Sequence, residues 1–260
     1  MTATLYARDP APAVLTRPGL ARLSRVELRK ATDTRAGRWL LIIIALIAVA
    51  AAAITAFAGQ ANGHTLRHIL SNTASFTALL LPVLGVLLVT SEWSQRTALT
   101  TFTLVARRER VIAAKIIAAI VLGLAAAIVC AALAVAGTAV ATHLAANSGT
   151  WDAAGAALGY SVLFQVLNVL LGVGFGLLFL NTPLAIVVYF ALPTAWGILT
   201  SSVHALHSTG NWLDPSTAWN NLTNATMTGT TWAQVATAAA VWVLLPVAVG
   251  GIRVLRSAVS

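Results

Sequence analysis

Apolar and polar residues alternate along this chain in long blocks rather than in short periods. Six apolar runs cover residues 39–58, 73–90, 112–141, 155–180, 184–200 and 232–252. Each is close to the roughly twenty residues that a helix needs to cross a bilayer. The pattern predicts an all-α polytopic membrane protein with six transmembrane helices. The third run is long for a span, so its first turns are expected to rise out of the bilayer. Pro82 inside the second run predicts a kink. Ala56-Phe57-Ala58 resembles a signal-peptide cleavage site. The charged region before it is too long and the apolar stretch exceeds the usual 7–15 residues, so it is read as a span.

The segments between the runs differ in kind. Residues 1–18 hold prolines at 10, 12 and 18 and read as a tail. Residues 19–38 place Leu20, Leu23, Val26 and Leu28 among Arg22, Arg25, Arg29, Lys30 and Arg35 at close to helical spacing. This predicts a basic amphipathic helix lying along the inner membrane face, with a charged flank of the first span as the plainer alternative. Residues 39–260 form the transmembrane domain. Within it, residues 91–111 make a basic loop, and residues 201–231 a long polar stretch with Asp214 and no Lys or Arg.

Composition agrees with this division. The chain is 58% hydrophobic and 9% charged, against roughly 25% charged in soluble domains. A net charge of +9 would raise nucleic acid as a partner in a soluble protein, but here the cations cluster beside apolar runs. With the N-terminus inside, eight of them precede the first span, five lie in and just after the basic loop, and two follow the last span. That is fifteen of sixteen, with Arg67 alone on the outer side. The positive-inside rule therefore predicts a multi-pass protein with both termini in the cytoplasm. Trp151, Trp212, Trp219 and Trp232 fall where the outer aromatic belt is expected. Cys130 is the single cysteine and forms no internal disulfide.

Candidate chemistry is sparse. No run holds an Asp, Glu, Lys or Arg well inside it; Glu92 and Lys115 stand at edges. That argues against proton or sodium coupling. The chain has no HExxH helix, no GxSxG elbow, no paired intramembrane acids and no GxxxxGK[ST] phosphate loop. It is not expected to be an enzyme, to hold a cofactor or to hydrolyse ATP itself. His64 and His68 are four apart, His204 and His207 three apart, and His143 lies on the same outer side. Such pairs can chelate zinc or copper, but no cluster of Cys or carboxylate supports them, and no metal is expected. Gln165 and Asn168 share a face of the fourth run, and Asn181 opens a short turn before Pro183. Gln165 and Asn168 are either ordinary packing groups or a polar strip facing a substrate path or a dimer seam, and Asn181 with Pro183 could serve as a hinge. Gly155/Gly159 and Gly172/Gly176 are pairs that permit close helix contact.

The segment SEWSQRTALTTFTLVARRERVIAAK, residues 91–115, carries an acidic-aromatic start, a Thr-rich middle and an Arg-rich close. Together with the basic entry helix and the ending WVLLPVAVGGIRVLRSAVS, it resembles the membrane subunit of type-2 ATP-binding-cassette exporters, especially actinobacterial forms. WLDPSTAW has the flavour of the segment before that family's last span. Two positions depart from the family pattern: Arg96-Thr97 stands where Gly-Thr is frequent, and Ala106 where Pro is usual. The resemblance implies a permease of a bacterial plasma membrane, paired with a second membrane subunit, by default in a homodimer, and driven by a separate cytoplasmic ATPase that carries ATP and Mg. It implies coupling through the 19–38 helix and the basic loop, with Glu92, Arg96, Arg107, Arg108, Arg110, Arg25 and Arg29 as contacts. The arginines could also bind anionic lipid. The uncharged spans favour a hydrophobic or amphipathic cargo such as a drug, lipid, peptide or glycan. A scaffold or sensor that docks another cytoplasmic partner, and a metal-handling protein using the outer histidines, are the alternatives.

Overall fold

Thr34 divides the basic entry segment from the first span. In the computed structural model, which describes residues 19–58, 65–94, 108–144, 151, 154–224 and 227–256, α1 (Leu20–Asp33) stops one residue before α2 (Arg35–Ala58). Thr34 is extended, and its hydroxyl accepts from the Gly37 N–H at 3.2 Å. A Cβ on Gly37 would lie 1.9 Å from the Ala31 carbonyl oxygen, so glycine lets α2 turn this sharply off α1. The single amphipathic helix expected over residues 19–38 is thus a shorter helix and an elbow.

Five more long helices follow. They are α3 (Leu66–Ser94), α4 (Arg108–Leu144), α5 (Ala154–Phe179), α6 (Thr182–Ser202) and a broken sixth span over Gly229–Arg256. All the described regular structure is helical, and six helices are long and apolar enough to cross a membrane. Their exposed surface is apolar, with Leu46, Ile54, Phe57, Ile128, Val187 and Leu244 all more than half exposed. A water-facing bundle would hide these side chains; a bilayer accommodates them. α3 runs through Pro82 as one continuous helix.

The pair α3 and α5 forms the centre. Two-thirds (67%) of the most apolar stretch of each is buried, against 17% for α6. Glycines bring them together. A Cβ on Gly172 would sit 1.9 Å from the Pro82 carbonyl oxygen, and one on Gly85 would sit 2.3 Å from that of Val169. No other side chain tolerates so close an approach of two backbones. The Gly172/Gly176 pair therefore faces α3 inside the same chain, whereas Gly155 and Gly159 have open space before them. Leu180 ends α5 in the left-handed region at φ 52°, with its N–H bonded to the Gly176 carbonyl at 2.9 Å.

The stretch 201–231, expected as a polar loop, is largely folded into the bundle. A short 3-10 turn (His204–Leu206) leads to α7 (His207–Leu213) and α8 (Pro215–Thr223). Asp214 caps α8, its carboxylate accepting from the N–H groups of Ser216 and Thr217 and from the Thr217 hydroxyl at 2.6 Å. Trp219 and Leu222 of α8 are buried against α5 and the last span. Trp219 therefore leaves the aromatic belt predicted for it, while Trp151, Trp212 and Trp232 remain exposed. The last span comprises α9 (Gly229–Ala239), a π-helical turn (Ala240–Leu244) and α10 (Leu245–Arg256). Pro246 has no N–H to give, and the helix absorbs the lost bond by widening just before it. Within that turn, Trp242 donates its indole N–H to the Leu213 carbonyl at 2.6 Å and fixes α7 and α8 in place.

Candidate functional site

α1 turns an unexpected face to the bundle. Its buried residues are Ser24, Glu27 and Ala31, and Arg22, Arg25 and Arg29 are exposed on the other side. A carboxylate facing inward at the bundle end needs cations, and two meet it. Glu27 Oε1 lies 2.7 Å from Lys30 Nζ, and its Oε2 lies 2.7 Å from Lys115 Nζ of α4. The same ammonium groups reach Glu92 near the end of α3. Lys30 Nζ lies 2.6 Å from Glu92 Oε1, and Lys115 Nζ 3.3 Å from Glu92 Oε2. The four groups close a ring in which each carboxylate faces two ammoniums and each ammonium two carboxylates. Lys115 also donates to the Leu88 carbonyl at 2.9 Å.

Burial and charge set how the ring behaves. The side chains of Glu27, Glu92 and Lys115 are 5%, 5% and 6% exposed, and that of Lys30 is 37% exposed. Alternation of sign lets the buried charges neutralise one another, and their hydrogen bonds offset part of the desolvation cost. Burial pushes the Lys30 ammonium down; its hydrogen bonds to Glu27 and Glu92 and their charges push it up and win, so it sits above its ordinary value of 10.5. The ring joins α1 to the end of α3 and the start of α4. Those two helix ends bracket residues 95–107. At the same end of the bundle, Arg108 donates to the Val254 carbonyl of α10 at 3.4 Å, and Arg253 donates to the Leu178 carbonyl of α5.

The residues singled out from sequence are distributed unevenly over this arrangement. Glu92 is buried within the ring, its carboxylate turned toward Lys30 and Lys115. Arg25 and Arg29 are exposed on α1, and Arg108 and Arg110 are partly buried in the first turn of α4. Arg96 and Arg107 lie outside the described residues. Three members of the ring, Glu27, Lys30 and Lys115, were not among the expected site residues. The signal for them was present: an acid among arginines at 27, and a lysine at the edge of an apolar run at 115, each needing a partner at membrane depth.

The three polar residues of the supposed substrate path do not come together. Asn181 is exposed and caps α6, accepting from the Leu184 N–H at 3.1 Å. Gln165 is fully buried, its amide within 3.4 Å of the Ala74 carbonyl and of Cys130 Sγ, and its Oε1 meets no donor. Asn168 lines a cavity of about 600 Å³ walled by α3, α5, α6 and α8. A second cavity of about 330 Å³ lies beside the ring, between the elbow, α3 and the start of α6. His68 touches Asn72 at 3.3 Å, and His64 lies outside the described residues. Among the described residues no three of His, Cys, Asp and Glu stand close enough to hold a metal ion.

Compared with known proteins, the chain matches no family model and no curated protein.

Proposed function

We propose that this chain is the membrane-spanning permease subunit of an ATP-binding-cassette exporter, with its basic end in the cytoplasm of a bacterial cell and a separate ATPase docked there. The observation that carries this reading is the ring of Glu27, Lys30, Glu92 and Lys115. An ATPase can shift the equilibrium of a membrane partner only by contacting its two states differently. That contact acts on the spans only if the contacted elements are rigidly tied to them. The ring ties α1 to the ends of α3 and α4, so a force on either α1 or the segment between those ends reaches the central helix pair. Arg25 and Arg29 on the exposed face of α1 stand beside this unit, as do Arg108 and Arg110. We assign these, with Arg96 and Arg107, to the ATPase contact. The permease works with a second membrane subunit, by default another copy of the chain. Its cargo is uncharged and amphipathic or hydrophobic.

The test is a pull-down of the tagged chain in mild detergent, probed for an associated ATPase. Arg107/Arg108/Arg110→Ala and Arg25/Arg29→Ala variants run beside the wild type. An ATP-binding-cassette protein that co-purifies with wild type and is depleted in both variants supports the reading. No associated ATPase while the chain stays folded would point instead to a scaffold or sensor.

A further inference from the structure

The 600 Å³ cavity lies well away from the charge ring, toward the other end of the bundle, and its volume is within the range of small-molecule sites, about 300–1,000 Å³. Three properties narrow what it can hold. First, no Asp, Glu, Lys, Arg or His lines it. A charged headgroup would enter without a counter-charge, at a cost of several kcal/mol. A phosphate is disfavoured for that reason, whatever it carries, and the aromatic side chains cannot replace the missing cation.

Second, its walls mix polar and apolar groups. α8 contributes Ser216, Thr217 and Asn220, and α3 and α6 contribute Leu79 and Phe190 beside Ser75 and Thr194. Leu79 and Phe190 are 53% and 37% exposed and belong to the apolar outer surface. The cavity therefore borders the bilayer between α3 and α6, and hydrogen-bonding groups reach it from α8, from Asn168 of α5 and from Tyr189 of α6.

Third, a buried polar group on its wall lacks a partner: the indole N–H of Trp219 meets no acceptor among the described residues. Asn168, 6% exposed, spends its amide N–H on the Phe164 carbonyl at 2.8 Å, and its oxygen accepts no bond from the described residues. Tyr189, 8% exposed, also lines the cavity. Its ring packs edge-on against Phe190 at 4.6 Å. Flat apolar faces beside unpartnered hydrogen-bonding groups fit a sugar ring, which has a C–H face and hydroxyl edges.

We propose that this cavity binds the uncharged, hydroxyl-rich headgroup of a membrane glycolipid, with the acyl chains leaving past Leu79 and Phe190 into the bilayer. That the bound lipid is cargo rests on the exporter reading; that it binds does not.

The experiment uses the full chain in nanodiscs of phosphatidylcholine containing a monoglucosyl diacylglycerol with a diazirine in its acyl chain. After irradiation, labelled peptides are mapped. The expected label falls on α3 around Leu79 and on α6 around Phe190. It is competed by unlabelled monoglucosyl diacylglycerol and not by phosphatidylglycerol or free glucose. Asn168→Leu with Tyr189→Phe removes two hydrogen-bonding partners and lowers competable labelling roughly tenfold or more. Leu79→Trp fills the mouth from an exposed position, where folding is not at stake, and abolishes it. Label spread elsewhere, equal competition by phosphatidylglycerol, competition by free glucose, or indifference to Leu79→Trp would each overturn the proposal. The labelling needs no ATPase, so its failure and a failure of the exporter reading appear in separate assays.

Discussion

Lys115 occupies a position where a lone ammonium would carry a large desolvation cost. It is 6% exposed and satisfied on three sides, by Glu27, Glu92 and the Leu88 carbonyl. Lys115→Met removes one of the two cations of the ring and leaves two carboxylates to share Lys30. Loss of one partner from a buried pair costs about 3–5 kcal/mol, much of it the price of the charge left behind. Adding Glu27→Gln removes the surplus charge, so the double variant should be more stable than Lys115→Met alone. Unfolding by SDS in mixed micelles measures both. If the two substitutions simply add their losses, the groups are not coupled as the distances imply. Lys30 gives a second prediction at this scale. Its pKa is raised in the folded state, so its contribution is fully present below the ordinary value of 10.5 and is lost as pH rises through the higher folded value. Between pH 8 and 10 this group should add no pH dependence. Above that, wild type should lose stability faster than Lys30→Arg, whose guanidinium stays charged. Matching alkaline profiles for the two proteins would rule out the raised ammonium.

At the scale of elements, the contact between α3 and α5 decides whether the bundle closes. A methyl group at Gly172 meets the Pro82 carbonyl oxygen at 1.9 Å, and that oxygen belongs to a helix backbone with no side chain to move aside. Gly172→Ala should force the central pair apart and destabilise by at least the 1–3 kcal/mol typical of overpacking. Gly159→Ala meets nothing within 4 Å, and should be neutral or gain up to about 1 kcal/mol from helix propensity. The same micelle unfolding assay compares them, and equal effects would mean that α3 and α5 cross elsewhere. These two glycines also show how far the elements could be read from sequence. The GxxxG spacing marked both pairs as candidates for close approach, but spacing cannot say which pair meets a neighbour. Span positions were legible because twenty apolar residues in succession have few other uses. The fold of α7 and α8 was not: short amphipathic helices rich in Ser, Thr and Asn look like loop, and only the burial of Trp219 and the Trp242–Leu213 bond reveal their seat. The charge ring was half legible. Glu92 and Lys115 stood out as edge charges, yet their pairing with Glu27 and Lys30 depends on the turn at Thr34, which the run of amphipathic residues concealed.

For the whole molecule the quantity to test is its direction in the membrane. The ring, the elbow and the arginines of α1, α4 and α10 all gather at one end of the bundle, and Arg67 begins α3 at the other. The positive-inside rule predicts the basic end in the cytoplasm, and the proposed ATPase contact requires it there, since nucleotide is found on that side. α7 and α8 would then face outward. Cysteine mapping decides this directly. Cys130 is buried, so it can be replaced by Ala at the cost of a small cavity and leaves a background without thiols. In that background, Arg25→Cys reports on the exposed face of α1, and Asn211→Cys on the exposed surface of α7. A membrane-impermeant maleimide added to intact cells should modify position 211 and spare position 25, and permeabilisation should open position 25 to the reagent. The reverse pattern would put the arginines of α1 out of reach of any cytoplasmic ATPase. The exporter reading would then fail at the scale of the whole molecule, while the charge ring and the helix packing that hold the bundle together would stand unchanged.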